Sequence, residues 1–475
     1  MNEMKFLYLF CFILALSCAL SLKFNEYKRF LEAQSKNETF VKLFQQHMKK
    51  FKRAHKTTVF PCKAIKSQKE ATSVHELTPS DIKVIAAIGD SLTAGTGITA
   101  KTPIGLLKED RGLSWSGGGD GTIDEHVTMA NMLKRYNPDL VGFAVGSGSY
   151  EDENAHLNVA NPGNEAKNMP FQANLLVQRI KSGKEGVNIT NDWKLITMFI
   201  GGNDLCNYCT DMPEYTVEKY VGYITQALDI LHKELPRTFV NVVETLNIGN
   251  VPLLNEGLVC NTLHYFTCRC GAFPRSDEDK KQLNDLVAAY QKGLRNLVAS
   301  GRYDTRDDFT VVDQPFFSET KIPVNPDNTT NLDYFAPDCF HLSELGQEAA
   351  ANALWDNMIE PVGQKRPYWR PGEPVDCPSD EEPYFYTMKN SPPGNGLGSG
   401  YEEPEQSFNV QKGSSQLNQI NATTVASTII GVLCLVVLAL GTVYIIKRKR
   451  NNVEKDHLLT GLSSNYTKIY TYNNY

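Results

Sequence analysis

Between about residues 77 and 366 the chain alternates two kinds of segment. Val84–Ile88, Leu140–Val145, Leu195–Ile200, Phe239–Val243 and Phe309–Val312 are short apolar runs with the length and composition of buried strands. Longer stretches with helical spacing separate or follow them, at about 124–136, 166–182, 214–234, 277–299 and 343–359. In one of these, Ile224, Leu228 and Leu231 fall on a single helix face. A strand that is apolar at every position needs cover on both sides. Strands alternating with helices provide it when the sheet is parallel. The pattern therefore predicts an α/β domain with a parallel sheet of about five strands. Ligand sites in such sheets lie beyond the carboxyl ends of the strands.

The first strand ends abruptly at Gly89-Asp90-Ser91. A small serine at that edge is placed where a nucleophile would stand, but its hydroxyl is weak until a base takes the proton. Of nine histidines in the chain, His341 in "FAPDCFHLSELG" is the best placed. Asp338 precedes it by three residues, so a tight turn could set the carboxylate on one ring nitrogen and leave the other for Ser91. Acyl transfer also needs donors for a developing oxyanion. Asn203 follows the strand Leu195–Ile200, so its amide projects at the same edge. Gly163 precedes a helix-like stretch, where backbone N–H groups are unpaired. The N–H of Ser91 would be a third donor. Taken singly, Asn203 also reads as a cap and Gly163 as a loop glycine.

Their order along the chain is the specific signal. Gly89-Asp90-Ser91-Leu92, Asn158-x-Ala160-x-x-Gly163, Gly201-x-Asn203-Asp204 and Asp338-x-x-His341 occur in that sequence. The set resembles the SGNH, or GDSL-type, family of lipases and esterases. That resemblance implies a three-layer α/β/α, flavodoxin-like fold. It also implies a catalytic Ser91, His341 and Asp338, with an oxyanion hole of Ser91, Gly163 and Asn203. No cofactor and no metal is implied. No G-x-S-x-G elbow supports an α/β-hydrolase. "RGLSWSGGGDG" (111–121), "DWKLITMFIGGNDLCNYC" (192–209), "SGRYDTRDDFTVVDQPFF" (300–317), "FAPDCFH" (335–341) and "LWDNMIEPVGQK" (354–365) resemble the membrane-associated phospholipase B family more narrowly. Members of that family can carry tandem copies of the domain, whereas this chain has one. The expected substrates are then phospholipids and lysophospholipids. "WSGGGDG" lacks the Lys-Ser/Thr of a phosphate loop and reads as a loop at the site entrance.

The flanks suggest a membrane-anchored, extracellular protein. Lys5 followed by apolar Phe6–Ala19 reads as a signal peptide over 1–21. Residues 22–76 form a basic, helix-like segment in which Phe40, Phe44, Met48 and Phe51 share a face. It reads as a lead-in helix packed on the 77–366 hydrolase domain, with a membrane-surface helix or a propeptide as rivals. The Pro-, Gly- and Glu-rich stretch 367–424 reads as a flexible stalk. Uncharged Val425–Ile446 is long enough to span a bilayer, and Lys447-Arg448-Lys449-Arg450 keeps the 447–475 tail cytoplasmic. The tail's Glu454-x-x-x-Leu458-Leu459 and Tyr466-x-x-Ile469 resemble sorting signals read by endocytic adaptors. Cys62, Cys206, Cys209, Cys260, Cys268, Cys270, Cys339 and Cys377 remain outside signal and span, an even set that favours disulfides over a zinc site. Sequons begin at Asn37, Asn188, Asn328 and Asn421. The net charge of −6 gives no basic surface for nucleic acid. Two further functions fit the same pattern: an esterase of acylated sugars or small acyl esters, and a non-catalytic surface receptor built on the fold.

Overall fold

A computed structural model describes residues 22–51, 59–64 and 69–392. The expected signal peptide, the chain from 393 through the span and tail, and the Asn421 sequon lie outside the described residues. Among the described residues, no helix is long and apolar enough to cross a membrane.

Four strands form the sheet: β1 (Ile82–Gly89), β2 (Trp193–Phe199), β3 (Thr238–Val243) and β4 (Phe309–Gln314). They pair in the order β1-β2-β3-β4, all parallel, with Ala86, Ile196, Val240 and Val311 in one register row. The helices are, in chain order, α1 (Leu22–Gln34), α2 (Glu38–Met48), α3 (Ser91–Ala94), α4 (Met129–Lys134), α5 (Met169–Lys181) and α6 (Gly202–Asn207). They continue with α7 (Val217–Glu234), α8 (Leu258–Thr267), α9 (Arg269–Ala272), α10 (Asp277–Ala299) and α11 (Glu344–Met358). Polar caps set many of the starts. Thr128, Thr216, Ser276 and Ser343 each accept a backbone N–H at the head of α4, α7, α10 and α11.

The expected fifth strand, Leu140–Val145, is not continuous. It lies along the free edge of β1, where Val141 exchanges hydrogen bonds with Lys83 and Ile85 at 2.9 and 3.0 Å. Gly142 then turns to φ +92, out of extended geometry. Leu157 and Val159 take over the pairing with Ala87. Two stretches of chain thus share one edge position.

Alternate strand residues face opposite ways. Val84, Ala86, Ile88, Ile196, Met198, Val240 and Val242 pack with α5, α7 and α10. Ile85, Leu195, Phe239 and Val312 pack with α4 and α11 on the other face. Right-handed crossovers explain this split. Steps from β2 to β3 to β4 run one way and leave their helices on one face. The step from β1 to the Leu140–Val145 edge runs the other way and carries α4 to the opposite face. The direction reverses between β1 and β2, so the chains leaving those two strands diverge and open a crevice at their carboxyl ends.

The flanking segments are packed onto this body. Tyr27, Leu31 and Phe44 of α1 and α2 are buried against Leu106, Val259 and Leu263. Helices α1 and α2 of the basic segment thus pack on the body. Residues 367–392, read above as the start of a stalk, are also packed. Trp369, Phe385 and Tyr386 are buried, Phe385 N donates to Leu77 O at 2.8 Å, and Arg370 pairs with Asp356. Three aromatics among many prolines and acids were enough to seat the segment. All eight expected cysteines pair, as Cys62–Cys377, Cys206–Cys268, Cys209–Cys270 and Cys260–Cys339.

Candidate active site

β1 ends at Gly89 because nothing larger fits: a Cβ there would lie 2.4 Å from Phe199 O and 2.7 Å from Thr93 Oγ1. The Asp90 carboxylate then accepts Leu92 N at 2.9 Å and starts α3, with Ser91 as its first residue. Ser91 Oγ lies 2.8 Å from His341 Nε2, and His341 Nδ1 lies 2.5 Å from Asp338 Oδ2. An N–H on Nδ1 donating to the carboxylate leaves the Nε2 lone pair for the serine proton. The other carboxylate oxygen, Oδ1, accepts Phe340 N at 3.1 Å and His341 N at 3.0 Å. Asp338 is fully buried, and Ser91 and His341 are nearly so.

The electrostatics of the pair oppose burial. Burial alone would lift the Asp338 carboxyl, but the His341 charge and the hydrogen bonds from His341 and Phe340 outweigh it and hold it below 3.8. Burial likewise pulls the His341 imidazole down, and the Asp338 charge and hydrogen bond overcome it, leaving it above 6.5. Burial pushes nearby Asp90 up to about 6, against its bond from Leu92 N.

The second carboxyl edge supplies Asn203, near the start of α6. Its Nδ2 donates to Asn164 O at 2.8 Å. An amide carries two N–H groups, so one remains for the cleft. Gly163, at φ +78, turns the 161–164 loop across the end of β1, where Asn161 N donates to Gly89 O at 3.1 Å. Ser91, Gly163, Asn203 and His341 line one cleft of about 620 Å³. All the expected site residues thus come together at one rim. A second, narrow cavity also begins at Ser91 and Asn203. It is walled by Leu246, Val251, Leu254, Ile322, Phe335 and Trp369. A polar cleft and an apolar cavity therefore meet at the serine.

Several supporting residues had no role in the sequence reading. Gln172 of α5 pairs with both backbone groups of Gly89 and donates to Asn164 Oδ1, each at 2.8 Å. Its signal was a glutamine on the apolar face shared with Met169, Leu176 and Ile180. The Asp204 carboxylate accepts Ala166 N at 3.0 Å, and burial pushes it up to about 8. Arg111 is buried and holds the chain that leads to Gly163, donating to Asn158 O at 3.0 Å and Ala160 O at 2.7 Å. "WSGGGDG", read above as an entrance loop, is instead buried over residues 115–119. Trp115 is wholly buried and meets Phe199, Phe316 and Phe317 edge to face. Large apolar surface carried the segment inward.

Cys206, Cys209, Cys268 and Cys270, the four that a zinc site would have used, are joined in two disulfides, as the even set favoured. His47, Cys260 and Cys339 cluster with metal-ligand residue types, but the Cys260–Cys339 bond removes both thiolates.

A parallel α/β sandwich with a serine, an imidazole and a carboxylate in hydrogen-bonded series defines a serine ester hydrolase. The family model described as GDSL-like lipase/acylhydrolase matches residues 85–354, and the chain belongs to that family. Membrane-associated phospholipase B1 of Homo sapiens is 44% identical over 334 residues, covering 68% of this chain and 23% of that protein. The Rattus norvegicus protein of the same name is 44% identical over 330 residues, covering 68% and 22%. The chain thus matches under a quarter of the full length of these relatives. A solved structure described as a GDSL-like lipase from Parabacteroides merdae is 17% identical, with a TM-score of 0.32, covering 60% of this chain and 96% of that one.

Proposed function

We propose that this chain hydrolyses fatty-acyl esters of phospholipids and lysophospholipids, as a membrane-anchored enzyme whose catalytic domain is extracellular. The observation that carries this reading is the Ser91–His341–Asp338 series opening onto an apolar cavity. Ser91 Oγ attacks the ester carbonyl carbon while His341 Nε2 takes its proton. The oxyanion that forms is held by the N–H groups of Ser91 and Gly163 and by the Asn203 amide. His341 then gives the proton to the leaving alcohol, and the acyl group stays on Ser91. Water, deprotonated by the same imidazole, attacks the acyl-enzyme, and His341 returns the proton to Ser91 as the fatty acid leaves. Asp338 keeps the proton on Nδ1 and stabilises the imidazolium.

The apolar walls of the narrow cavity suit the first methylenes of an acyl chain, and the polar cleft suits a head group. The name of the phospholipase B1 relatives, the apolar run Val425–Ile446 with its basic flank, and four disulfides support the lipid substrate, the anchor and the oxidising side. Asn161, Asn164 and Asn168 in the cleft favour the rival, an esterase of acylated sugars. Product analysis on defined diacyl and monoacyl phospholipids, beside acylated sugars and acetyl esters, separates the two. Ser91→Ala is expected to fold normally and to lose turnover by on the order of a million-fold. It should also lose labelling by a serine-directed phosphonate. Wild-type fatty-acid release from that variant would refute the mechanism, and turnover confined to acetyl or sugar esters would refute the substrate.

A further inference from the structure

We propose that His47 is a positioning residue for the Asp338–His341 pair, which makes the N-terminal helices part of the catalytic apparatus; the inference rests on the reading of Ser91, His341 and Asp338 given above. Asp338 Oδ1 is held by the N–H groups of residues 340 and 341, so its aim is set by the backbone of 336–341. That turn is closed by Cys339 N donating to Ala336 O at 2.8 Å and Ala336 N to His341 O at 2.7 Å, and groups from outside it add to that hold. Cys339 sits at φ +61, a left-handed conformation that an L-residue keeps only under constraint from its surroundings. Outside groups hold the peptide carbonyls on both sides of Asp338. His47 Nε2 is 2.8 Å from Pro337 O, and His264 Nε2 is 3.1 Å from Cys339 O. A carbonyl oxygen only accepts, so each ring nitrogen donates. The Cys260–Cys339 disulfide ties the same turn to α8.

His47 comes from α2, 290 positions before its partner, and its side chain is buried between Phe44 and Phe51. Burial holds its imidazole below the ordinary range, so it serves as a neutral donor. A ring placed there for packing alone would need no N–H directed at Pro337. Asn25 and Tyr27 of α1 also line the cleft that holds Ser91. The segment from 22 to 51 is thus a wall of the site and one arm of a clamp on its carboxylate.

The test compares His47→Leu, which removes the donor, with His47→Gln, whose amide nitrogen reaches where Nε2 stood. Both are assayed on a soluble short-chain ester in the full-length protein. His47→Leu is expected to lose kcat by on the order of 10- to 100-fold with KM within about twofold, since a small misplacement costs rate rather than binding. His47→Gln should recover kcat to within about threefold of wild type. The acid limb of kcat/KM, set by His341 facing Asp338, Asp90 and His264, should fall to lower pH in His47→Leu and return in His47→Gln. Wild-type kcat in His47→Leu, or equal loss in both folded variants, overturns the inference. If His47→Leu does not fold, His47→Gln decides: full kcat with an unmoved limb supports the clamp, and a folded variant with lost kcat ends it. Turnover retained by Ser91→Ala overturns the proposed function and this inference together. An inactive Ser91→Ala beside an unaffected His47→Leu overturns this inference alone.

Discussion

His341 takes the serine proton only when neutral, so the sign of its shift fixes the pH profile. Its raised value means that kcat/KM climbs with pH along a limb centred above 6.5. Stability runs the other way. The His341 contribution is complete below 6.5 and is lost as pH rises through the raised value. The Asp338 contribution is present above 3.8 and is lost as pH falls through the depressed value. The ion pair therefore stabilises most between those limits, and the enzyme works best where part of that stabilisation has gone. Asp338→Asn keeps the shape and removes the charge. Of the groups that hold the imidazole up, only the charge of Asp90 then remains against burial, so the limb should drop below 6.5. The rate should fall by on the order of 1,000- to 10,000-fold, because Nδ1 no longer keeps its proton. Rate profiles on a soluble ester check both, and a limb that stays put would remove Asp338 from the account. Asp-x-x-His pointed to this pair because three residues span one tight turn. The two histidines behind that turn left no such trace, since they come from helices far away in the chain.

At the level of elements, α5 does more than cover the sheet. Gln172 joins the last residue of β1 to Asn164, whose carbonyl in turn holds Asn203. Gln172→Leu would leave Gly89 N without its partner in a dry site. That costs about 1–3 kcal/mol, to be read by chemical denaturation. The same variant should lower kcat more than it changes KM, because the oxyanion loop loses its tether. An unchanged midpoint would show that the Gly89 backbone has another partner. The strand–helix alternation was readable for β1 to β4 and for the four long helices α5, α7, α10 and α11, since burial on both faces demands unbroken apolar runs, whereas the stretch expected at about 124–136 is helical only over Met129–Lys134. Leu140–Val145 looked the same by composition. Its glycine, and the competing pairing of Leu157 and Val159, broke it into single bridges. Hydrophobicity does not report which of two segments reaches an edge first.

Across the whole molecule, the two ends of the body are joined. Cys62 and Cys377 are 315 positions apart and share a disulfide. Phe60, Tyr136, Phe385 and Trp355 pack together nearby. Replacing both cysteines by serine should lower stability by about 2–4 kcal/mol, since closing so long a loop restricts the unfolded chain. Thermal unfolding of the double variant checks this, and an unchanged midpoint would show that the bond adds nothing to the packing around it. The segment that this bond anchors also lends Trp369 to the apolar cavity, so the 366 boundary drawn from composition cuts through the site. Residue types, their order and the family resemblance they carry were enough to single out Ser91, His341, Asp338, Gly163 and Asn203 as candidates for the site. They were also enough to place these residues at the carboxyl edge of a parallel sheet, because local backbone geometry and burial act over a few residues at a time. The partners of eight cysteines, the seat of 367–392, the inward course of Trp115 and the hold of His47 on Pro337 required the folded chain. Each is a contact between segments far apart, selected by shape and desolvation in a particular packing, and such complementarity is written in no single stretch of sequence.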